Sequence, residues 1–293
     1  MTQILTHRGL EPEKQNFFTE STYEAFADQL TRGFGLEFDV NFTADNQIVI
    51  FHDATLERIT GGQDKRAFAE MTLDETREIK LDNGHLCSLE ELLTLIESRS
   101  TKTSALHLKG KFQEPRYLAL LAASLREHPE TVKKIVIFDV KVETAQYLKQ
   151  ELPDLQLAPS VAHPYDIERY NGAVSHTLIP IEEAISHREL FSWVWLDEWD
   201  RTDRDGGSKS LNNEEVFKKL REFNLKIALV TPELHATSPN LLGGESHQDA
   251  TDKGKLEARL REIISLKPDL ICTDYPSLAK EITEKSKIKV IIQ

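Results

Sequence analysis

At 293 residues the chain is long enough for two average domains or for one large α/β unit such as a barrel. Its 39% hydrophobic content, with ordinary glycine and proline usage, excludes a disordered or low-complexity chain. A formal charge of −13 argues against nucleic acid and anionic membranes as partners, because phosphate surfaces are repelled. An anionic substrate then needs local cations or a metal. Cys87 and Cys272 are the only cysteines and make no disulfide framework. Neither a basic-then-apolar leader nor an apolar run of membrane-spanning length is visible. The expectation is a cytoplasmic protein without stable membrane insertion.

In chain order, the first predicted strand is QILTHR, ending on His7 and Arg8. STYEAFADQLTRG follows as a helix, with Ser21 and Glu24 spaced as a capping box, an apolar stripe of Tyr23, Phe26, Ala27 and Leu30, and Gly33 to end it. LEFDVNFTADNQIVIFHD reads as a strand continuing into a hairpin about Asp45-Asn46. A two-residue turn there sets Asp39 opposite His52, and strand alternation adds Glu37 to the same face. SLEELLTLIES is a second capped helix, with Ser88 and Glu91 as the box. SALHLK is a strand ending on His107 and Lys109. PRYLALLAASLREH is a helix with Pro115 in its first turn and Leu118, Leu121, Ala122 and Leu125 facing inward.

The second half repeats the rhythm with less chemistry. Strands KIVIFDV, LQLAPSV, FSWVWLD, KIALVT and DLICTD are separated by helices expected at 142–152, 212–223 and 254–266. Eight strands alternating with helices predict a parallel sheet closed as a TIM (β/α)8 barrel. VSHTLIPI is a rival for one of the eight places. An open doubly wound sheet is the alternative, against which the first strand leads into HRGLEP and not into a glycine-rich phosphate turn.

In a barrel the C-terminal strand ends are neighbours and carry the chemistry. That geometry gathers His7, Glu37, Asp39, His52, His107 and Lys109. Each alone is a weak signal, since a lone strand-end histidine is commonly structural. Together, two carboxylates and a histidine suit a divalent cation. Two further histidines suit acid and base, and Arg8 and Lys109 suit a phosphate. The combination describes cleavage of a phosphodiester.

THRG, ESTYEAF, GLEFDVNFTADNQIVIFHDATLERITGG, LDNGHLCSLEELL and ICTDYP, in that order, resemble the glycerophosphodiester phosphodiesterases. The likeness is dense over residues 4–110, thin over about 140–265, and returns at 269–277. It implies a TIM barrel over 1–293 with residues 53–87 as a small insertion after the second strand. It implies His7 and His52 as catalytic, Arg8 and Lys109 as phosphate contacts, and Glu37 and Asp39 as ligands to one divalent cation, Mg²⁺ or Ca²⁺. The products would be glycerol 3-phosphate and an alcohol. Glu20 matches a glutamate before the first helix, where capping and ligand contact both remain open.

Three departures from the family pattern stand out. His107-Leu108-Lys109 replaces Glu-x-Lys, so that His107 as third ligand would shift preference toward Zn²⁺ or Mn²⁺, the alternative being that His107 is no ligand and water completes a looser Mg²⁺ site. LVTPE replaces a Trp-Thr pair, putting Val230 or Leu229 where an aromatic is usual. WVWLDEWDR offers Trp195, Asp197 and Glu198 as pocket candidates, with Trp193 and Trp199 beside them, although alternating tryptophans also serve as packing against helices. Asp274 in TDYP is expected to orient its neighbours. The long segment 233–253 is a candidate lid. A phosphodiesterase for a sugar- or envelope-linked diester, or a non-catalytic phosphate-binding barrel, are the rival functions.

Overall fold

The computed structural model describes residues 2–99, 102–234 and 247–291. Its strands are β1 (Gln3–His7), β2 (Gly35–Phe42), β3 (Ile48–Ile50), β4 (Ser104–His107), β5 (Ile135–Phe138), β6 (Gln156–Leu157), β7 (Ser160–Val161), β8 (Leu178–Ile179), β9 (Trp193–Leu196), β10 (Lys226–Val230) and β11 (Leu270–Thr273). All pairings are parallel except the β2–β3 hairpin.

The sheet order β6-β5-β4-β2-β1-β11-β10-β9-β7 returns on itself, because β6 and β7 are two halves of one run. Leu157 pairs with Ile137 of β5 and Ser160 pairs with Trp195 of β9. Pro159 between them accepts a bond from the Trp195 amide at 3.0 Å. This run ties the two ends of the row into a TIM-like barrel with the eight predicted staves. VSHTLIPI does form a strand, β8, but only as a two-residue addition beside β7.

Strands buried on both faces read as continuous apolar runs, and alternation divides each run. Val136 and Phe138 face the barrel interior with Leu5, Ala105, Ala228 and Cys272. Ile135 and Ile137 face the helices. Trp193 and Trp195 belong to the interior as well, so their alternation reflects filling of the barrel, not packing against the outer helices. Val194 and Leu196 take the outer role.

Local expectations hold with two corrections. The helix Leu89–Arg99 starts from the Ser88–Glu91 box, and Pro115 opens Pro115–Arg126. The expected later helices are Val142–Glu151, Glu214–Glu222 and Lys253–Ser265. The first helix, Tyr23–Thr31, is capped by Thr22 and not by Ser21. Ser21 has φ 58°, and Glu24 binds the His85 backbone and ring instead of closing a box.

The hairpin register is also one residue from expectation. Phe42 pairs with Ile48 and Val40 with Ile50. Thr43 and Gln47 close a wider turn, with Asn46 at φ 61°. Asp39 therefore lies opposite Phe51, whose amide donates to its carbonyl at 3.1 Å, and not opposite His52. Phe51 anchors a small separate core with Val49, Leu56, Phe68, Met71 and Leu86, which holds most of residues 53–87 against the hairpin.

Candidate active site

The strand ends converge as barrel geometry requires. His7, Glu37, Asp39, His107, Asp139, Asp197 and Val230 come from six strands and line one cavity of about 110 Å³ with Arg8 and His52. Its far wall carries Phe138, Trp195 and Trp199.

His7 is the last residue of β1, and Arg8 and Gly9 follow with φ 52° and 73°. Two successive left-handed residues turn the chain sharply off the strand. The Arg8 amide donates to the Glu37 carbonyl at 3.1 Å. A side chain on Gly9 would come within 3.1 Å of Ala25 Cβ, so glycine suits both the backbone and the space. His7 Nδ1 lies 2.8 Å from Asp274 Oδ1, leaving Nε2 for the cavity. Asp274 thus orients its neighbour, as expected.

His52 reaches the same cavity by a bend after β3. Asn41 Nδ2 donates to the carbonyls of Phe51 and Asp53, at 2.5 and 2.9 Å, and Lys109 Nζ donates to the His52 carbonyl. These bonds, not cross-strand pairing, deliver the imidazole beside Asp39. His52 Nδ1 is 2.6 Å from Asp53 Oδ1. Burial pushes its pKa down to about 4, more than Asp39 and Asp53 raise it. At that value the ring is neutral near pH 7.

Glu37 and Asp39 are both buried. Burial, then the Asp39 charge, raises the Glu37 pKa. Asp39 is held well below the ordinary range, because Lys109 and the nearby imidazoles outweigh burial. One donor atom each from Glu37, Asp39 and His107 lie within 4.8 Å of one another. Among the described residues, buried Asp39 Oδ2 accepts no hydrogen bond, although Arg8 Nε lies 3.5 Å from it. Two carboxylates and an imidazole at this spacing fit a divalent cation. His107 Nδ1 is 2.9 Å from Asp39 Oδ1, and its Nε2 is 3.4 Å from Asp139 Oδ2. Burial disfavours the imidazolium, but the two carboxylates prevail and raise its pKa to about 9.

Arg8 and Lys109 flank this cluster, with Arg8 Nε 3.5 Å from Asp39 Oδ2 and Lys109 Nζ 3.2 Å from Asp39 Oδ1. Glu20 stands behind Arg8, 3.4 Å from its Nη1, and also pairs with Arg58. It braces the arginine and is not among the cavity-lining residues. Trp195 lines the cavity and stacks on Phe138 at 3.7 Å. Asp197 lines it too, and burial with the charges of Asp139 and Asp166 raises its pKa to about 8. Val230, not Leu229, occupies the wall where an aromatic was absent.

Glu198 corrects its expectation, because alternation turns it away from the cavity. It accepts from Arg259 at 2.7 Å and from the Leu211 and Asn212 amides at 2.6 and 3.1 Å. It therefore fastens a loop and a helix. The expected lid at 233–253 falls largely outside the described residues. Within it Glu233 is buried and accepts from Thr231 and Thr273, at 2.6 and 2.5 Å, and His247 is buried beside Glu198. His235 is outside the described residues.

The sequence reading missed Asp53, Arg58, Asp139 and Glu233. Asp53 and Asp139 each carried a signal, the first by adjacency to His52 and the second by its place just past a strand. Arg58 Nε reaches Asp53 Oδ2 at 2.5 Å from a loop whose path nothing local specifies.

The pattern of the glycerophosphoryl diester phosphodiesterase family matches residues 7–276. A glycerophosphodiester phosphodiesterase of Bacillus altitudinis is 25% identical over 169 residues, which are 54% of this chain and 66% of that protein, just under two thirds of its length. A glycerophosphoryl diester phosphodiesterase of Parabacteroides distasonis superimposes with a TM-score of 0.67 at 18% identity, over 98% of this chain and 87% of that one. An Oleispira antarctica phosphodiesterase in complex with the product sn-glycerol-3-phosphate superimposes with a TM-score of 0.62 at 15% identity, over 97% of each chain.

Proposed function

The chain belongs to the glycerophosphoryl diester phosphodiesterase family, and from that premise we propose that it hydrolyses a glycerophosphodiester to glycerol 3-phosphate and an alcohol. The observation that carries this reading is the pair of cavity histidines, each with Nδ1 on a carboxylate, at 2.8 Å for His7 and 2.6 Å for His52. A barrel that only bound phosphate has no use for two such pairs.

His52, neutral and with Nε2 facing the cavity, takes the proton from the nucleophile, which is water or a neighbouring substrate hydroxyl. His7, its ring oriented by Asp274, gives a proton to the leaving alkoxide. Arg8 and Lys109 hold the phosphate oxygens and balance the charge that develops there. Glu37, Asp39 and His107 would hold one divalent cation, which would supply positive charge beside the phosphoryl oxygen. The ligand set of two carboxylates and one imidazole favours Mn²⁺ or Zn²⁺ over Ca²⁺. The barrel acts as one enzymatic unit, with the 53–87 region supporting His52.

Metal-stripped protein given a chromogenic phosphodiester and then glycerophosphodiesters, with Mg²⁺, Mn²⁺, Zn²⁺ or Ca²⁺ restored singly, tests the proposal. Turnover with at least one ion and release of glycerol 3-phosphate are expected. No turnover with any ion would favour the binding barrel.

A further inference from the structure

We propose that Asp139 is a positioning residue for the cation site, setting the ring orientation and tautomer of His107 and thereby the preference for a borderline ion. This rests on the cation reading of Glu37, Asp39 and His107. His107 Nδ1 faces Asp39 Oδ1 at 2.9 Å, on the side of the donor cluster, while Nε2 faces Asp139 Oδ2 at 3.4 Å. An Nε2–H held by Asp139 leaves the Nδ1 lone pair for the cation, the arrangement by which an outer carboxylate orients a ligating imidazole and raises its basicity. The ring plane is fixed independently. His107 stacks on Phe138 at 4.7 Å and 10°, and Phe138 stacks on Trp195 at 3.7 Å and 11°.

The backbone is built to keep Asp139 in place. It sits just past β5 at φ 66°, a left-handed conformation that Asp and Asn adopt more readily than other side-chain-bearing residues. Gln113 clamps the turn, donating to the Asp139 carbonyl at 2.6 Å and accepting from the Lys141 amide at 3.0 Å. Only the imidazole ligand depends on Asp139. An ion that relies on the Glu37 and Asp39 oxygens and on water gains little from it.

The test is direct ion binding to folded, metal-stripped protein, wild type against Asp139→Gly and Asp139→Asn. Glycine accepts the left-handed turn and removes the acceptor. Asparagine keeps the turn and an acceptor without charge. Zn²⁺ and Mn²⁺ affinity should fall about 10–100-fold in the glycine variant and less in the asparagine variant, with Ca²⁺ affinity changed far less. The visible absorption of bound Co²⁺ should shift as the imidazole is loosened, which a general loss of stability would not produce. Wild-type Zn²⁺ affinity and an unchanged Co²⁺ spectrum in the glycine variant would overturn the role of Asp139, as would an equal loss for Ca²⁺. Wild-type protein that binds none of these ions would overturn the cation reading itself, and this inference with it.

Discussion

His52 and Asp53 are adjacent in sequence and bonded in space, with His52 Nδ1 2.6 Å from Asp53 Oδ1. Neighbouring side chains on an extended strand point to opposite faces, so the contact exists only because the chain bends after Phe51. The bend is stapled by Asn41 and Lys109. His52→Ala should reduce kcat by about 100-fold or more while the circular dichroism spectrum is retained. Asp53→Asn should lose a comparable factor by favouring the wrong tautomer. Full turnover of His52→Ala in steady-state assays would remove His52 from the mechanism.

The low pKa of His52, about 4, bears on the pH profile. The base is competent when neutral, so activity through it is kept down to about that pH and lost below it. The acid limb of kcat/KM should fall well below the ordinary histidine value of about 6.5. An acid limb centred at 6–7 in a profile measured with saturating cation would contradict the assignment of His52 as base.

Two carboxyls outside the histidine pairs, the half-buried Asp197 and the buried Glu233, link stability to pH. Burial and neighbouring carboxylates raise Asp197 to about 8 and Glu233 to about 7. Between their ordinary values near 4 and these raised values the folded state holds protons that the unfolded state has lost. Their contribution is whole below about pH 4, declines as pH rises, and is gone above about pH 8. Asp197→Asn and Glu233→Gln should therefore flatten the decline, each by about 1–3 kcal/mol between pH 5 and 8.5 in urea titrations. Equal midpoint changes at both pH values would contradict this linkage.

Glu198 offers a contrast with its neighbour Asp197. It is buried, and the opposing effect of burial is overcome by His247, Arg259 and the Asn212 amide, which hold its carboxyl well below the usual range. Glu198→Ala removes one of two carboxylates that lie 2.7 Å from the buried Arg259, the other being Glu262, leaves the Leu211 and Asn212 amides without their acceptor, and should cost about 1–3 kcal/mol of stability. The KM of the fraction that remains folded should be unchanged, because Glu198 does not line the cavity. A change in KM with little loss of stability would place Glu198 in the substrate pocket after all.

Removal of the cation should abolish turnover with the fold intact. Burial and then the Asp39 charge raise the Glu37 pKa, so Glu37→Gln, which removes the charge that both oppose, should be at least as stable as wild type without metal while binding the ion far more weakly. Thermal shift with and without Mn²⁺ reads both effects, through the mass-action stabilisation that a bound ion confers.

Much of this was legible from residue order. Alternation of apolar runs with capped amphipathic runs specifies strands and helices locally, because burial and hydrogen-bond satisfaction act over a few residues. The strand ends then name His7, Arg8, Glu37, Asp39, His107 and Lys109 by position alone. The cap at Thr22 and the hairpin register were each one residue from expectation, since Ser21 and Thr22 both suit a cap, and Asn46 in a left-handed conformation closes a wider turn than Asp45-Asn46 alone.

What the sequence determined by itself is the set of staves, the residues at their ends, and the family resemblance of that set. Only the tertiary structure decided which carboxylate stands behind which histidine. Asp274 reaches His7 across 267 residues and Asp139 reaches His107 across 32. It also decided that Trp195 and Asp197 face the cavity whereas Glu198 faces Arg259. Such pairings depend on barrel closure, on strand phase and on turns whose φ is fixed by distant hydrogen bonds, and those forces do not act between neighbours in sequence.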